Sequence, residues 1–134
     1  MNTINVNAVT KREKYKTIIS SETNQLIADE PITEGGTDLG FSPYELLAGA
    51  LASCTSITLR MYADRKEWDI DEIKVDVQFS RDSTTNSASF QRTISYVGNL
   101  KSSQKERLIA IANACPVHKT LSGTISIETN LKLD

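Results

Sequence analysis

The chain opens with a short alternation of apolar and polar positions, Ile4-Asn5-Val6-Asn7-Ala8, the pattern of a strand with one buried face. Lys11-Arg12-Glu13 predicts a turn, Tyr15 to Ser20 the returning strand, and Leu26-Ile27-Ala28 a further short one. Periodicity then lapses over residues 29–40, where Pro31, Gly35, Gly36 and Gly40 predict a connector. A glycine-rich loop can cradle phosphate, but this one lacks the Lys-Ser/Thr pair and the strand–turn–helix setting of such a cradle, so a plain loop is expected. At Ser42 a helix is predicted to begin: Ser42 as N-cap, Pro43 at the first helical position and Glu45 completing a Ser-x-x-Glu capping box. It is expected to run to about Lys66, with Leu47, Leu51, Cys54, Thr58 and Met61 as its core-facing stripe.

Strict alternation returns twice. Ile73, Val75, Val77 and Phe79 alternate with Lys74, Asp76 and Gln78, and Phe90, Arg92, Ile94 and Tyr96 alternate with Gln91, Thr93 and Ser95. Two strands follow, joined by a polar stretch over residues 81–89 whose Ser, Thr and Asn content suggests a mobile loop. Ser103-x-x-Glu106 reads as a second capping box. Leu108, Ile111, Ala112 and Cys115 then share a helix face, and Pro116 closes that helix. Ile125 to Thr129 is expected as a final strand after a turn at Ser122-Gly123. The order of strands, helix, strands, helix and strand lacks a regular β-α-β rhythm. It predicts an α+β fold of two central helices packed with mainly antiparallel sheets, in one domain over residues 1–134.

Composition removes several function classes. A net charge of −2, with Lys and Arg dispersed and adjacent only at Lys11-Arg12 and Arg65-Lys66, argues against a nucleic-acid partner. The N-terminus has neither the basic nor the apolar region of an export signal, and the longest apolar run, Leu46 to Ala52, is too short to span a bilayer. The expected setting is therefore the cytoplasm, away from membranes, where a structural disulfide is not expected. Two cysteines and one histidine do not make a typical structural zinc site, and neither a metal nor another cofactor is expected.

Cys54 and Cys115 remain. A cysteine on an apolar stripe packs as a small hydrophobe. A pair carried on the two apolar helices is alternatively a dithiol able to cycle to a disulfide, provided the sulfurs come within bridging reach. Cys115, read as the end of the second helix, faces the negative end of a helix dipole, which suits a resolving thiol better than an attacking one. Cys54 lies too deep in its helix for the N-terminal dipole to help. If reactive, it needs a cation brought to it, and arginine fits because it stays charged and can hold a peroxide oxygen. Arg60 faces another side of the same helix and reads as structural. His118 is a proton donor or acceptor near Cys115, or a loop residue whose ring caps the preceding helix. Tyr62 and Trp68 read as core or dimer contacts.

Two stretches carry a resemblance. Residues Gly36 to Leu47 (Gly-Thr-Asp-Leu-Gly-Phe-Ser-Pro-Tyr-Glu-Leu-Leu), with Ala52-Ser53-Cys54-Thr55 and Leu59 to Lys66, form the first; Ala114-Cys115-Pro116-Val117-His118-Lys119-Thr120-Leu121 is the second. In this order they resemble the OsmC/Ohr family of osmotically inducible and organic-hydroperoxide-resistance proteins, and most of all the branch sometimes fused to an α/β-hydrolase. The resemblance implies an intertwined cytoplasmic homodimer and a cofactor-free thiol peroxidase. Cys54 would attack an organic hydroperoxide, Cys115 would resolve the sulfenic acid, and a dithiol such as a lipoyl group would restore both thiols. It also implies Arg12, from the first hairpin turn, as the activating cation. In the hydroperoxide-resistance pattern a Glu directly after the helix-opening Pro holds that arginine. Here Tyr44 occupies the position and Glu45 comes one residue later, so Glu45 either takes that role or serves only the capping box. The alternative function is a redox-sensing or small-lipophile-binding module without fast turnover.

Overall fold

Residues 3–132 are described by a computed structural model, and the chain divides into two compact units, residues 1–49 and 50–134. In the first, β1 (Asn7–Thr10), β2 (Thr17–Ser20) and β3 (Gln25–Ala28) form an antiparallel three-stranded sheet in that order. Asn7 pairs with Ser20 and Thr17 with Ala28. The first strand starts three residues later than its alternation suggests. Pairing sets the limit: β2 ends at Ser20, opposite Asn7, so Ile4 and Val6 have no partner there and are exposed.

The connector over residues 29–40 is organised by one buried carboxylate. Asp29 accepts from the N–H groups of Tyr15 at 2.9 Å, Glu30 at 2.7 Å and Leu39 at 3.1 Å, and from the Thr37 hydroxyl at 2.7 Å. Burial alone would raise this carboxyl, but the Thr37 hydroxyl and the three N–H groups outweigh it and hold Asp29 well below the usual carboxylate range. The inward-facing donors of the loop are thus spent on the protein's own anion, consistent with a connector rather than a phosphate cradle. Gly40 is needed for the close approach, because a Cβ there would strike the Ile27 carbonyl.

Helix α1 (Pro43–Arg65) begins as its capping signals predict. The Ser42 N–H donates to Glu45 Oε1 at 2.8 Å, and the Glu45 N–H donates back to Ser42 Oγ at 3.3 Å. Its 23 residues are long and apolar enough, by length and composition, to cross a membrane, a test that the core helix of a globular domain also passes. The buried positions are Leu51, Thr55, Leu59 and Ala63, every fourth residue. This stripe is rotated from the expected one: Leu47 and Met61 are exposed, and Cys54 lies half-buried beside Thr55. The apolar positions of α1 run most of the way round, so hydrophobicity alone does not select the side that packs.

In the second unit the buried side is selected by β4 (Asp69–Asp82), β5 (Ser87–Asn99) and α2 (Ser102–Ala112). Leu59 and Ala63 of α1 pack with Ile70, Leu108 and Ile111, flanked by Tyr62 and Trp68, whose rings meet edge-on with centroids 5.2 Å apart. Strands β4 and β5 form a long antiparallel hairpin in which Ile73 faces Tyr96, Val75 faces Ile94, Val77 faces Arg92 and Phe79 faces Phe90. The expected loop over residues 81–89 is mostly strand. Pairing continues to Asp82 and Ser87, leaving a four-residue turn in which Asp82 Oδ1 accepts the Thr84 N–H at 2.9 Å.

Helix α2 starts at Ser102, one residue ahead of the predicted cap. Ser103 therefore lies inside the helix, and the Gln104 side chain accepts the Lys101 N–H at 2.7 Å in place of the Ser103/Glu106 box. It also ends early, at Ala112. A third helix, α3 (Pro116–Ser122), follows, and Cys115 is its N-cap. Proline is as much a starting as a stopping signal; here Pro116 opens a helix. Residues 124–132 form no regular element, so the strand expected over Ile125–Thr129 is absent, and Ile125, Ile127 and Leu131 are exposed. Alternation supplies a face for a strand but not a partner. The α+β class with antiparallel sheets stands as predicted.

Candidate active site

Three elements of the second unit converge on one sulfur. Cys115, fully buried, sits where the chain leaves α2 and enters α3. The His118 N–H donates to its Sγ at 3.4 Å, and Thr55, on the buried stripe of α1, puts its hydroxyl 3.6 Å away. The Cys54 side chain is close enough to the same sulfur to help lower its pKa. The two cysteines therefore meet, and both are free thiols.

Behind them stands Arg92. It occupies the apolar face of β5, opposite Val77, where the alternation calls for an aliphatic side chain. Its Nη1 donates to Thr55 Oγ1 at 3.1 Å, and its Nη2 lies 3.0 Å from both Asn113 Oδ1 and His118 Nδ1. A guanidinium cannot accept a hydrogen bond, so His118 Nδ1 is the acceptor and the ring proton is on Nε2.

These contacts tune the Cys115 thiol. Burial, the largest single influence, pushes the Cys115 thiol up. The His118 N–H, the Thr55 hydroxyl, the Cys54 thiol and the charge of Arg92 together outweigh it and leave Cys115 below the ordinary thiol range. This reverses the expectation drawn from a helix C-terminus, because Cys115 precedes a helix instead of ending one. A buried dithiol with one half-buried member and one lowered member is suited to thiol–disulfide chemistry.

Known proteins share this fold. A family model described as OsmC-like protein matches residues 35–130. The chain belongs to the OsmC-like family. An OsmC-like protein of Mycoplasma pneumoniae has the same fold at 22% identity, covering 91% of this chain and 89% of that one, with a TM-score of 0.76. A protein of Psychrobacter arcticus 273-4, named for an osmotic stress induced and detoxification response, is 27% identical over 90% of this chain and 88% of its own, with a TM-score of 0.74. The organic hydroperoxide resistance protein OhrB of Bacillus subtilis is 24% identical over 98% of both chains, with a TM-score of 0.60. No curated protein matches the chain.

Glu45 has one carboxylate oxygen committed to the capping box. Arg12 is exposed in the turn between β1 and β2. Arg60 is structural: it donates to the Ile70 carbonyl at 2.8 Å and pairs with Asp64 at 2.6 Å. Tyr62 and Trp68 pack against the core. His118 lies within the first turn of α3, and its ring engages Arg92 rather than the end of α2. Arg92 and Thr55 were missed in the sequence. The signal for Arg92 was present, as a single charge in the apolar register of a strand. Thr55 carried none beyond its place next to Cys54.

Proposed function

We propose that this OsmC-like chain is a thiol-dependent peroxidase that reduces organic hydroperoxides through a Cys54/Cys115 cycle, as one domain in a cytoplasmic homodimer. The observation that carries this reading is the nearness of the two free thiols, in a family whose structural neighbours include organic hydroperoxide resistance proteins. Cys54 is assigned the attack because it retains exposed surface, whereas Cys115 has none. The Cys54 thiolate attacks the terminal peroxide oxygen and breaks the O–O bond; the alkoxide leaves, takes a proton and departs as alcohol. Cys115 then attacks the sulfenic sulfur, a disulfide forms and water leaves. A dithiol of the lipoyl type reduces the disulfide. Arg12 is proposed as the cation serving Cys54. Glu45, already engaged in capping α1, is assigned no chemical step.

The test is intact-mass measurement after one equivalent of cumene hydroperoxide. Wild type should lose two hydrogens, Cys115→Ser should gain one oxygen on Cys54, and Cys54→Ser should consume no peroxide. Peroxide consumption by Cys54→Ser at the wild-type rate would reject the assignment. One observation favours the rival reading, a redox sensor or small-lipophile binder: the sulfur that collects the stabilising contacts is the one without exposed surface. A sensor oxidises once and slowly, and does not turn over with a dithiol.

A further inference from the structure

Arg92 brings a charge to a position where an aliphatic side chain would complete the ribbon face, and half-burying a charge is unfavourable unless something uses it. Its hydrogen-bond partners are a hydroxyl, an amide oxygen and a neutral imidazole nitrogen. No carboxylate is among them, so no ion pair among these partners offsets the positive charge beside the cysteine pair. Resting on the peroxidase reading above, we propose that Arg92 is the positioning residue of the resolving step: through Thr55 and His118 it holds Cys115 ready to attack a sulfenic acid on Cys54.

Thr55 is the moving part. Its hydroxyl has one proton, donated to the Leu51 carbonyl at 2.7 Å, while Arg92 Nη1 occupies one lone pair and the Cys115 thiol faces the other side at 3.6 Å. When Cys115 loses its proton, this hydroxyl turns to donate to the sulfur. The Leu51 carbonyl keeps its helical N–H partner, so the turn orphans no buried group. Arg92 stays on the Thr55 oxygen in both states and, donating to that oxygen, makes the hydroxyl a better donor to a negative sulfur. On the other side Arg92 fixes the tautomer of His118, the residue whose backbone N–H meets the same sulfur.

In the step itself, the Cys115 thiolate attacks the Cys54 sulfur. The S–S bond forms, the S–O bond breaks, and the oxygen leaves as hydroxide, which takes a proton to become water. The sulfenic acid is the oxidant, so no further electron acceptor is needed. The titratable groups facing Cys115 are Cys54 from α1, Arg92 from β5 and His118 from α3.

The experiment has two independent readouts. In the first, reduced protein is oxidised with cumene hydroperoxide and quenched with dimedone at intervals, across a pH series. Arg92→Met should form the Cys54 sulfenic acid at about the wild-type rate, yet close the disulfide roughly tenfold more slowly at neutral pH, with the midpoint of the closure profile about one pH unit higher. Arg92→Lys, which keeps the charge without the fork, should recover part of the loss. In the second, the ultraviolet absorbance of the Cys115 thiolate is titrated in Cys54→Ser, alone and combined with Arg92→Met or the near-isosteric Thr55→Val. Both double variants should titrate at higher pH, so the proposal is still tested if Arg92→Met folds poorly. Wild-type closure in Arg92→Met with an unmoved midpoint, or coincident thiolate titrations, would overturn it. Absence of any Cys54 sulfenic acid in Cys115→Ser would instead reject the peroxidase reading, and the thiolate titration would still decide the role of Arg92.

Discussion

Replacing Leu59 by alanine is the sharpest test of how the second unit holds its site. Leu59 has no exposed surface and packs with Ala63, Ile70, Leu108 and Ile111, which come from α1, the start of β4 and α2. The void would be hard to refill. Ala63, one turn along α1, has no bulk to contribute, and the three larger neighbours, Ile70 on β4 and Leu108 and Ile111 on α2, sit on other elements held by their own backbone bonds. Poor collapse puts the cost in the usual range for buried leucine truncation, about 3–5 kcal/mol, a large share of the roughly 5–15 kcal/mol that stabilises a typical domain. Urea unfolding followed by far-ultraviolet circular dichroism, at one fixed protein concentration, should show the midpoint falling with the slope unchanged. Thermal unfolding should move down by roughly 10 °C. The control is Met61→Ala, two residues on and 62% exposed, which should change stability by less than about 0.5 kcal/mol as long as that surface stays open. A loss below about 1 kcal/mol for Leu59→Ala would refute this account of the core. A large loss for Met61→Ala would show that its face of α1 is covered in the assembled protein.

Other outcomes follow from individual contacts. The Asp29 carboxyl is depressed in the folded protein, so its contribution is present above the ordinary carboxylate value of about 4 and is lost as pH falls from there towards the folded value; acid unfolding of Asp29→Asn should therefore show a weaker pH dependence than wild type over that window. Ser42→Ala should cost about 1 kcal/mol of stability through the lost α1 cap. Glu45→Gln keeps the acceptor for the Ser42 N–H, so it should retain both stability and peroxide consumption; a selective loss of consumption would return Glu45 to the chemistry. Arg12→Ala should slow the first oxidation of Cys54 by roughly ten- to a hundredfold in stopped flow if Arg12 serves the thiolate, and an unchanged rate would point to a different cation.

Local signals and long-range ones were not equally legible in the sequence. The cap at Ser42 and the alternations beginning at Ile73 and Phe90 depend on neighbours a few residues away, and α1, β4 and β5 appear where those signals predict. The buried side of α1 was misjudged because it depends on β4, β5 and α2, which the periodicity of α1 does not encode. Pro116 was misread for a subtler reason: a proline after an apolar helical stretch has the same local appearance whether a helix stops or another starts. The two cysteines were identified from sequence, but their environment was not. Arg92, Asn113 and His118 become neighbours only when β5, the end of α2 and the start of α3 come together.

Pro116 has one more effect. The residue before a proline is kept out of the helical region, and Cys115 accordingly has φ −65° and ψ 143°. Its backbone is fixed by the covalent chain itself, whichever oxidation state the sulfur is in. Cys54 sits mid-helix, where the main chain is equally constrained. Neither main chain offers slack, so drawing the sulfurs into a bond falls to torsion of the two side chains. Pro116→Ala, which relaxes the geometry at Cys115 while leaving both thiols in place, should therefore change the speed of disulfide closure more than the speed of the first oxidation.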